Sequence, residues 1–461
     1  MKQLLIQPFQ LLIERLFTGK TMTAKQVFKM LGPIFLDSSF IVLISILNTA
    51  LISSSGVAAI SAVSIVDSIN MFIVSIFIAI ATGGTVIVAQ YTGKRDPAQA
   101  NKAAAQAITT VVSTAIIITI IVILFHNPIL NGLFGQAEAE VFSNAKTFLI
   151  GSAISFPFFA LYQAVIGALR GVAETKACLW LSILLNLVYF ILNVLLVSVF
   201  ELGVIGISIA YIVARGLGSA VALWYLVTKS HRLQVPIKEI IHFNWSLLKK
   251  ILFIGLPFAA EQLFFNGGKL LTQTYIVQLG TLPVTVNAIA GSISMLFQVG
   301  GSTLSIAIVT IVGQCIGRRE IGDARKYIKS FLLLSTAFFI FIEIILLLCY
   351  PLIIQMYNPP EEIITDIWQL LLLISIAQPL FWSISFILPA ALRAAGDSKF
   401  TSITALLSMW LFRVIVGYIL GITFGMGVFG VWLAMVIEWG IRGLLFYYRY
   451  RTEHWYKHKL V

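Results

Sequence analysis

The stretch Gly255-Leu-Pro-Phe-Ala-Ala-Glu261 places a carboxylate inside an otherwise apolar run. Glu261 is the only charged residue between Lys250 and Lys269. An ionised side chain at membrane depth costs about 2.5 to 3.5 kcal/mol on insertion scales and more on others, so such a residue normally faces a cavity or a partner. The stretch therefore predicts a membrane helix that carries a functional carboxylate.

The same pattern occurs again 224 positions earlier, as Gly32-Pro-Ile-Phe-Leu-Asp37. In both copies a proline stands four residues before the acid. The same offset relates Ala89-Gln-Tyr-Thr-Gly-Lys-Arg95 to Gly313-Gln-Cys-Ile-Gly-Arg-Arg319. The chain is therefore predicted to be a duplicated protein in which Asp37 is the repeat mate of Glu261.

The composition is that of an integral membrane protein. Of 461 residues, 59% are hydrophobic and 11% are charged, and the mean hydropathy is +0.97. This balance is too apolar for a soluble domain. Uncharged runs recur that are long enough for the ~20 residues with which a helix crosses the hydrocarbon, and none alternates like a barrel strand. The predicted fold class is an all-α integral membrane protein.

Twelve transmembrane helices are predicted. They lie near residues 28–54, 57–86, 103–125, 142–168, 177–200, 203–228, 248–276, 283–313, 327–352, 366–391, 400–424 and 427–449. Lysine and arginine concentrate at the N-terminus and in the loops after even-numbered helices, and the formal net charge is +12. The positive-inside rule then places both termini in the cytoplasm of a multi-pass protein, here expected in a bacterial inner membrane. It also accounts for the basic balance without a nucleic-acid partner.

Six helices in each half let the two halves repeat in parallel. The predicted organisation is an interfacial N-terminal segment (1–27), an N-terminal six-helix bundle (28–228), a cytoplasmic linker (229–247), a C-terminal six-helix bundle (248–450) and a cytoplasmic tail (451–461). Parallel repeats around an axis along the membrane normal are typical of transporters, with the substrate path at the interface of the repeats.

Four motifs, in this order and at these spacings, carry a resemblance to a known family. They are Ala81-Thr-Gly-Gly-Thr-Val-Ile-Val-Ala-Gln-Tyr-Thr-Gly-Lys-Arg-Asp96, Ile254-Gly-Leu-Pro-Phe-Ala-Ala-Glu261, Ala391-Leu-Arg-Ala-Ala-Gly-Asp397 and Ser408-Met-Trp-Leu-Phe-Arg413. Over residues from about 30 to 455 the chain resembles the multidrug and toxic compound extrusion (MATE) transporters, in the style of the NorM-like bacterial branch.

The resemblance implies two pseudo-symmetric six-helix bundles in a V shape that act as a secondary antiporter. Such a protein exports amphipathic, cationic organic compounds in exchange for protons or sodium ions by alternating access. We expect a monomer in the lipid bilayer, with no cofactor and no bound metal beyond the coupling ion.

Glu261 looks like the helix-7 acid of the NorM-like branch, whose role there is cation coupling. The hypothesis is a carboxylate that holds a proton, a sodium ion or a cationic substrate, one at a time. The alternative is a structural salt bridge with Lys269. Eight residues of helix amount to some 80° of rotation and about 12 Å of rise, which makes that pairing a poor one.

Helix 1 presents a polar stripe of Asp37, Ser45 and Asn48, because eleven steps of about 100° return to nearly the same face. Asp37 is a candidate second ion site, and the alternative is that it caps or pairs near the cytoplasmic end. The hallmark helix-1 acid of the family corresponds to Asn48, and the helix-10 acid of the NorM-like branch falls near Trp382, so neither side chain titrates. The helix-5 polar site corresponds to Asn193. The hypothesis is that Asp37 supplies the charge that Asn48 lacks.

Other intramembrane polar groups are assigned to ion pairs or to a cavity. Arg413 and Glu438 lie at matching depth in helices 11 and 12 and are predicted to form a structural ion pair, since isolated charges there would be costly. Asp67 and Arg215 could pair likewise. The cavity-lining candidates are Asn70, Gln163, Asn186 and Tyr189 in the first half and Gln262, Asn266, Gln273 and Asn287 in the second. Each of them could equally be an interhelical hydrogen-bonding group.

Three other functions compete with antiport. A lipid-linked precursor flippase predicts an arginine-lined cavity, and the intramembrane acids Asp37 and Glu261 argue against it. A dedicated metabolite exporter would have the same sequence features, whereas a channel is disfavoured because no pore-ring motif is present. An enzyme is not expected because the sequence has no metal-ligand set, nucleophile elbow or phosphate loop.

Overall fold

The computed structural model describes residues 11–53, 57–134 and 138–461 of the chain. The first ten residues of the predicted interfacial segment lie outside the described part. Within the described residues there is no β-strand, and the regular structure is helical.

Within the described ranges the fold consists of twelve long helices, which confirms the twelve-helix prediction. They are α1 (Ala24–Ser53), α2 (Val57–Gly93), α3 (Pro97–Phe134), α4 (Ala139–Gly171), α5 (Thr175–Val199), α6 (Gly203–Thr228), α7 (Trp245–Gln278), α8 (Thr281–Gly317), α9 (Ile321–Tyr357), α10 (Glu361–Ala394), α11 (Ser398–Thr423) and α12 (Gly427–Arg451). Eleven of them are long and apolar enough to cross a membrane. The other is α7, whose apolar sequence is interrupted by Lys249, Lys250, Glu261 and Lys269.

Several helices are longer than the predicted spans. Helix α2 runs over Val57–Gly93 where the sequence predicted 57–86, and α3 runs over Pro97–Phe134 where it predicted 103–125. The prediction counted the apolar run that fits the hydrocarbon, whereas the backbone hydrogen bonds of a helix continue into the polar residues beyond it. The loop between α2 and α3 is correspondingly short, from Gly93 to Pro97.

The duplication is visible in the way helices end. Helices α2 and α8 stop at the repeat-related residues Arg95 and Arg319, which have left-handed φ angles of 60° and 62°. The N–H after each of them donates to the carbonyl five positions before it, at 3.1 and 3.0 Å, which is the hydrogen-bond pattern of a Schellman cap. Ala173 (φ 63°) and Gly396 (φ 103°) end α4 and α10 in the same left-handed conformation.

The chain divides into two compact units. The N-terminal unit comprises Gly32–Gln262, and the C-terminal unit comprises the residues through Leu31 together with Leu263–Leu460. The divisions therefore fall inside α1 and α7, near the repeat-related prolines Pro33 and Pro257, and not in the segment 229–247. The predicted bundle boundaries stay a prediction.

The first half of α7 docks closely on α2 within the N-terminal unit. A Cβ atom on Gly83 would lie 2.5 Å from the Ile251 carbonyl oxygen, and one on Gly255 would lie 2.8 Å from the Ile80 Cα. Two helix backbones approach this closely only where the facing residues have no side chain. The crossing therefore fixes the start of the stretch that ends at Glu261.

The linker before α7 is also attached to the N-terminal unit. It contains a short helix, Ile237–Ile241. The side-chain amide of Gln106 on α3 donates to the Glu239 carbonyl at 3.1 Å and accepts from the Asn244 N–H at 2.9 Å. These bonds hold the approach to α7 on α3.

The N-terminal residues of the described chain pack on α9 in the C-terminal unit. The Thr21 N–H donates to Asp323 at 2.7 Å, the Ser330 hydroxyl donates to the Leu16 carbonyl at 2.7 Å, and the Phe17 side chain is buried. The location of segment 1–27 at the membrane interface stays a prediction.

Candidate functional site

Asp37 of α1 is buried and forms an ion pair. The Arg170 Nη2 atom, near the end of α4, lies 3.1 Å from the Asp37 Oδ2 atom. The other carboxylate oxygen, Oδ1, is buried without a hydrogen-bond donor among the described residues. The sequence left two alternatives open for Asp37: a second ion site, or a cap or pair near the cytoplasmic end. The structure shows Asp37 in an ion pair with Arg170, and its role as an ion site stays a prediction.

Asn48 and Asn193 meet in the N-terminal unit. The Asn193 side-chain amide donates to the Asn48 carbonyl oxygen at 3.2 Å, and Asn193 has no exposed surface. The resemblance aligned these two positions with the helix-1 acid and the helix-5 polar site, and α1 and α5 bring them into contact. Because neither amide titrates, this contact can hold a hydrogen bond but not a proton for exchange.

Aromatic rings continue from this amide pair towards a buried arginine. The Tyr189 ring packs edge-on against Tyr211 with centroids 5.1 Å apart. The Arg215 guanidinium lies 3.8 Å from the Tyr211 centroid and 4.5 Å from that of Phe159. Its Nη1 atom donates to the Ser155 hydroxyl at 2.8 Å. Arg215 is therefore held by cation–π contacts and a neutral hydrogen bond.

Asp67 of α2 supplies the negative charge near this arginine. Asp67 is exposed, interacts electrostatically with Arg215 and accepts a hydrogen bond of 3.4 Å from Asn70. The Asn70 amide also donates to the Ser152 hydroxyl at 3.1 Å. Asn70 thus belongs to a polar network that links α2 with α4.

The other predicted polar residues of the N-terminal unit have individual environments. Asn186 donates to the Ser182 carbonyl within its own helix at 2.9 Å. Gln163, Glu261 and Gln262 are half-buried. Glu261 is therefore a half-buried acid inside a long apolar helix.

Two predicted residues of the C-terminal unit, Gln273 and Asn287, belong to one hydrogen-bonded chain. The Asn287 amide on α8 donates to Gln273 on α7 at 3.0 Å, and the Trp432 indole on α12 donates to the Asn287 oxygen at 2.9 Å. Asn266 on α7 is buried. These contacts join three helices.

The structure brings Arg413 and Glu438 together. The Arg413 Nη2 atom on α11 lies 2.8 Å from the Glu438 Oε2 atom on α12. A second guanidinium, that of Arg442, lies 2.5 Å from the Oε1 atom, and its Nε atom donates to the Ser385 hydroxyl at 2.8 Å. Since the Glu438 side chain is fully buried, one carboxylate neutralises one of two buried cations.

Lys269 lies beside this pair and not in a pair with Glu261. Its electrostatic neighbours are Arg413, Glu438 and Arg442. Its ammonium group lies 4.9 Å from the centroid of the Phe265 ring.

The described residues contain no group of three or more His, Cys, Asp and Glu side chains that could hold a metal ion. The polar groups are instead spread as pairs and short networks over many helices.

The MatE family model matches residues 33–195 and 257–419, more than half of the chain. This chain belongs to the MatE family. The two matched segments begin 224 residues apart, so the family model matches each copy of the repeat once. Members of this family are transporters, not enzymes.

Curated relatives align with the MatE chain over nearly its whole length. The "Uncharacterized transporter YisQ" of Bacillus subtilis (strain 168) is 27% identical over 434 residues, which are 93% of this chain and 94% of the relative. The "Probable multidrug resistance protein NorM" of Thermotoga maritima is 24% identical over 444 residues, which are 95% of this chain and 94% of the relative. Together with the family match, they make the chain a NorM-like multi-pass transporter of the drug-efflux family.

Solved structures share the fold. One is described as the "Outward-facing conformation of a multidrug resistance MATE family transporter of the MOP superfamily" and matches with a TM-score of 0.86 and 18% identity, over 94% of this chain and 97% of that chain. Another, from Pyrococcus furiosus, is described by the words "Reverse polarity of binding pocket suggests different function of a MOP superfamily transporter" and matches with a TM-score of 0.85 and 18% identity, over 97% of this chain and 99% of that chain.

Three charged residues of this MatE chain were missed by the sequence reasoning. Glu343 on α9 is buried and accepts a hydrogen bond of 2.8 Å from Ser375, and the rule that singled out Glu261 would have found it as a lone acid in an apolar run. Arg442 stands four residues after Glu438, a spacing that favours a helical ion pair. The sequence around Arg170 did not indicate its ion pair, because its partner Asp37 lies 133 positions away.

Proposed function

We propose that this MatE-family protein is a secondary antiporter. It exports amphipathic, cationic organic compounds in exchange for protons or sodium ions by alternating access. It acts as a monomer in a bacterial inner membrane with both termini in the cytoplasm.

The observation that carries the proposal is the presence of acids in the long apolar helices of the N-terminal unit. Asp37, Asp67 and Glu261 all belong to the unit Gly32–Gln262, although Glu261 comes from the second sequence repeat. Carboxylates within the membrane-spanning part of a transporter are suited to exchange one cation for another. The N-terminal unit therefore offers the acidic groups that such an exchange needs.

The roles of these acids differ. Asp37 already has a cation partner in Arg170, so it exchanges ions only when that pair opens. Glu261 is half-buried on the helix that runs from one unit into the other. We assign the coupling ion to Glu261, because it resembles the helix-7 acid of the NorM-like branch, and a secondary role to Asp37, with Asn48 and Asn193 as neutral hydrogen-bonding groups.

Ethidium transport in proteoliposomes tests this proposal, with a pH gradient and a sodium gradient imposed separately. The wild-type protein is compared with Glu261→Gln and Asp37→Asn. One gradient should drive transport, Glu261→Gln should abolish it, and Asp37→Asn should slow it. Glu261→Gln transport equal to wild type would remove the coupling role of Glu261, and ethidium transport under neither gradient would count against export of organic cations.

A lipid-linked precursor flippase is the second candidate, and a specific observation favours it. Arg413 and Arg442 are buried side by side in the C-terminal unit, and a flippase for anionic lipid precursors needs such basic groups. The acids Asp37, Asp67 and Glu261 favour the antiporter. Transport of a headgroup-labelled anionic lipid, and no transport of ethidium, would reverse this order; a dedicated metabolite exporter would transport neither.

A further inference from the structure

The C-terminal unit contains a charge cluster with an excess of positive charge. We call Lys269, Arg413, Glu438 and Arg442 the basic cluster, which brings together residues of α7, α11 and α12. Three cations surround a single carboxylate, so the formal net charge of the cluster is +2. Uncompensated charge at membrane depth is costly, and residues that carry it mark ion and substrate pathways.

The ion pairs inside the basic cluster leave donors unused. The Glu438 carboxylate forms ion pairs with both guanidinium groups: Oε2 lies 2.8 Å from Arg413 Nη2, and Oε1 lies 2.5 Å from Arg442 Nη1. The Nε atom of Arg413 and the Nη2 atom of Arg442 are nevertheless buried without a hydrogen-bond acceptor among the described residues, and both residues are more than nine-tenths buried. A buried donor without an acceptor costs about 1–3 kcal/mol, so these atoms favour an additional acceptor.

Lys269 adds an accessible cation to the cluster. Lys269 is an exposed residue, and its ammonium group lies 4.9 Å from the centroid of the Phe265 ring. The close approach of α7 to α11 positions it, since a Cβ atom on the preceding Gly268 would lie 2.6 Å from the Met409 methyl group. An anion that approached Lys269 would also come under the field of both arginines.

Aromatic rings lie directly against the cations. The Phe265 centroid is 4.9 Å from the Lys269 ammonium, 5.4 Å from the Arg413 guanidinium and 5.9 Å from that of Arg442. The Phe386 ring is 4.5 Å from the Arg442 guanidinium. Rings stabilise cations through their faces but accept no conventional hydrogen bond. The surroundings therefore suit a molecule with an apolar body and an anionic group.

The first repeat shows that the duplicated scaffold does not need these charges. At the offset of 224, Lys269 corresponds to Ser45, Glu438 to Ala214 and Arg442 to Gly218. The N-terminal unit forms the corresponding helices with small neutral residues at these three positions. The basic cluster is therefore specific to the second copy of the repeat.

Helix geometry near the cluster is also irregular. Arg413 lies in a π-helical segment, Met409–Val416, and Ser385 and Phe386 lie in another, Gln378–Ile387. Such widened turns are frequent at functional sites.

We propose that Lys269, Arg413 and Arg442 bind the anionic group of an amphipathic organic molecule, a carboxylate or a phosphate on an apolar or aromatic body. Phe265 and Phe386 contact that body. The ligand can be a soluble organic anion or an anionic lipid, because both present the same chemistry. The proposal adds a second ligand class to the antiporter and does not depend on ion coupling.

Equilibrium binding of two dyes to the purified full-length protein tests this site without any gradient. Fluorescein carries a carboxylate on a xanthene body, and rhodamine 6G is a cationic xanthene ester. Fluorescence anisotropy in a neutral detergent gives the Kd of each dye for wild type, Lys269→Gln and Lys269→Arg. Lys399→Gln is the matched control, because it removes an exposed cation about 21 Å along α11 from Arg413, at ~1.5 Å per residue.

We expect Lys269→Gln to weaken fluorescein binding about tenfold, since the variant removes one charge partner of the anion. Lys269→Arg should restore the affinity to within about threefold, and Lys399→Gln should leave it unchanged. Rhodamine 6G binding should not weaken in any of the variants. Failure of fluorescein to bind, or equal losses for Lys269→Gln and Lys399→Gln, would overturn the site while leaving the ethidium experiment unaffected.

Competition then identifies the source of the anion. Displacement of fluorescein by benzoate, with Lys269 required, supports a soluble organic anion. Displacement by phosphatidylglycerol added to the micelle, again with Lys269 required, supports a lipid phosphate. Displacement that is the same in wild type and Lys269→Gln would place the dye elsewhere and would count against the proposal.

Discussion

Asp37 of α1 and Arg170 of α4 form an ion pair 3.1 Å apart, although 133 positions separate them in the chain. This pair places the charge of the first repeat's acid against the last turn of α4. It also gives the N-terminal unit a point of attachment between its first and fourth helices.

Asp37→Asn should lower the stability of the protein, because it leaves the Arg170 guanidinium with a weaker, neutral acceptor. We expect a loss of about 1–3 kcal/mol, seen as a lower midpoint of thermal unfolding in detergent. The double variant Asp37→Asn with Arg170→Gln should recover part of that loss. Equal destabilisation by the double variant and by the sum of the two single variants would show that the pair contributes no coupling energy.

Asn48 provides the acceptor for the fully buried Asn193 amide. Asn48→Ala should therefore destabilise the N-terminal unit by about 1–3 kcal/mol, because a buried donor loses its partner. Asn48→Asp keeps an acceptor at the same place and should cost less. Thermal unfolding of the two variants side by side checks the order, and Asn48→Ala as stable as wild type would contradict the contact.

Glu438 neutralises charge for two arginines at once. Glu438→Gln should destabilise the C-terminal unit strongly, by about 3–5 kcal/mol, because it leaves buried cations without a carboxylate. Size-exclusion chromatography after stepwise heating measures the loss of folded protein. Glu453→Gln is the control, since its 4.0 Å pair with Lys457 is exposed and such surface pairs contribute about 0–1 kcal/mol.

Gly255 permits the close crossing of α7 and α2. Gly255→Ala should cost about 1–3 kcal/mol, because the added methyl group would lie 2.8 Å from the Ile80 Cα. Gly267→Ala is a matched control on the same helix, where a Cβ atom meets nothing within 4 Å. That variant should be neutral or stabilising by about 0.5–1 kcal/mol. A reversed order in thermal unfolding would exclude the crossing.

The sequence was sufficient for the fold but not for the partners of individual charges. Apolar run length and the 224-residue offset predict twelve helices in a duplicated chain, because both signals are local or periodic. Arg442 beside Glu438 is likewise within reach of helical spacing, and Glu343 follows from counting charges in apolar runs. The partner of Asp37 could not be predicted, because an ion pair between α1 and α4 depends on how helices pack.

The basic cluster is a second case in which the sequence did not predict the neighbours of a charge. The sequence suggested Glu261 as its partner and gave geometric reasons against that pairing, but nothing in the sequence placed Lys269 beside Arg413 and Arg442. Those residues come from helices more than 140 positions further along the chain. Only the packing of α7 on α11 brings like charges together.

At the helix ends near Arg95 and Arg319, the left-handed backbone favours glycine, whereas the sequence places a positive charge there. A left-handed residue with a side chain is disfavoured by roughly 1–2 kcal/mol, and the related ends at Ala173 and Gly396 do without a cation. Glycine at Arg95 or Arg319 would relax the backbone but remove a positive charge from the face where lysine and arginine gather. Under the positive-inside prediction, each arginine costs some folding free energy but adds to the charge that orients the chain during insertion, so a glycine would improve the turn and weaken that orientation.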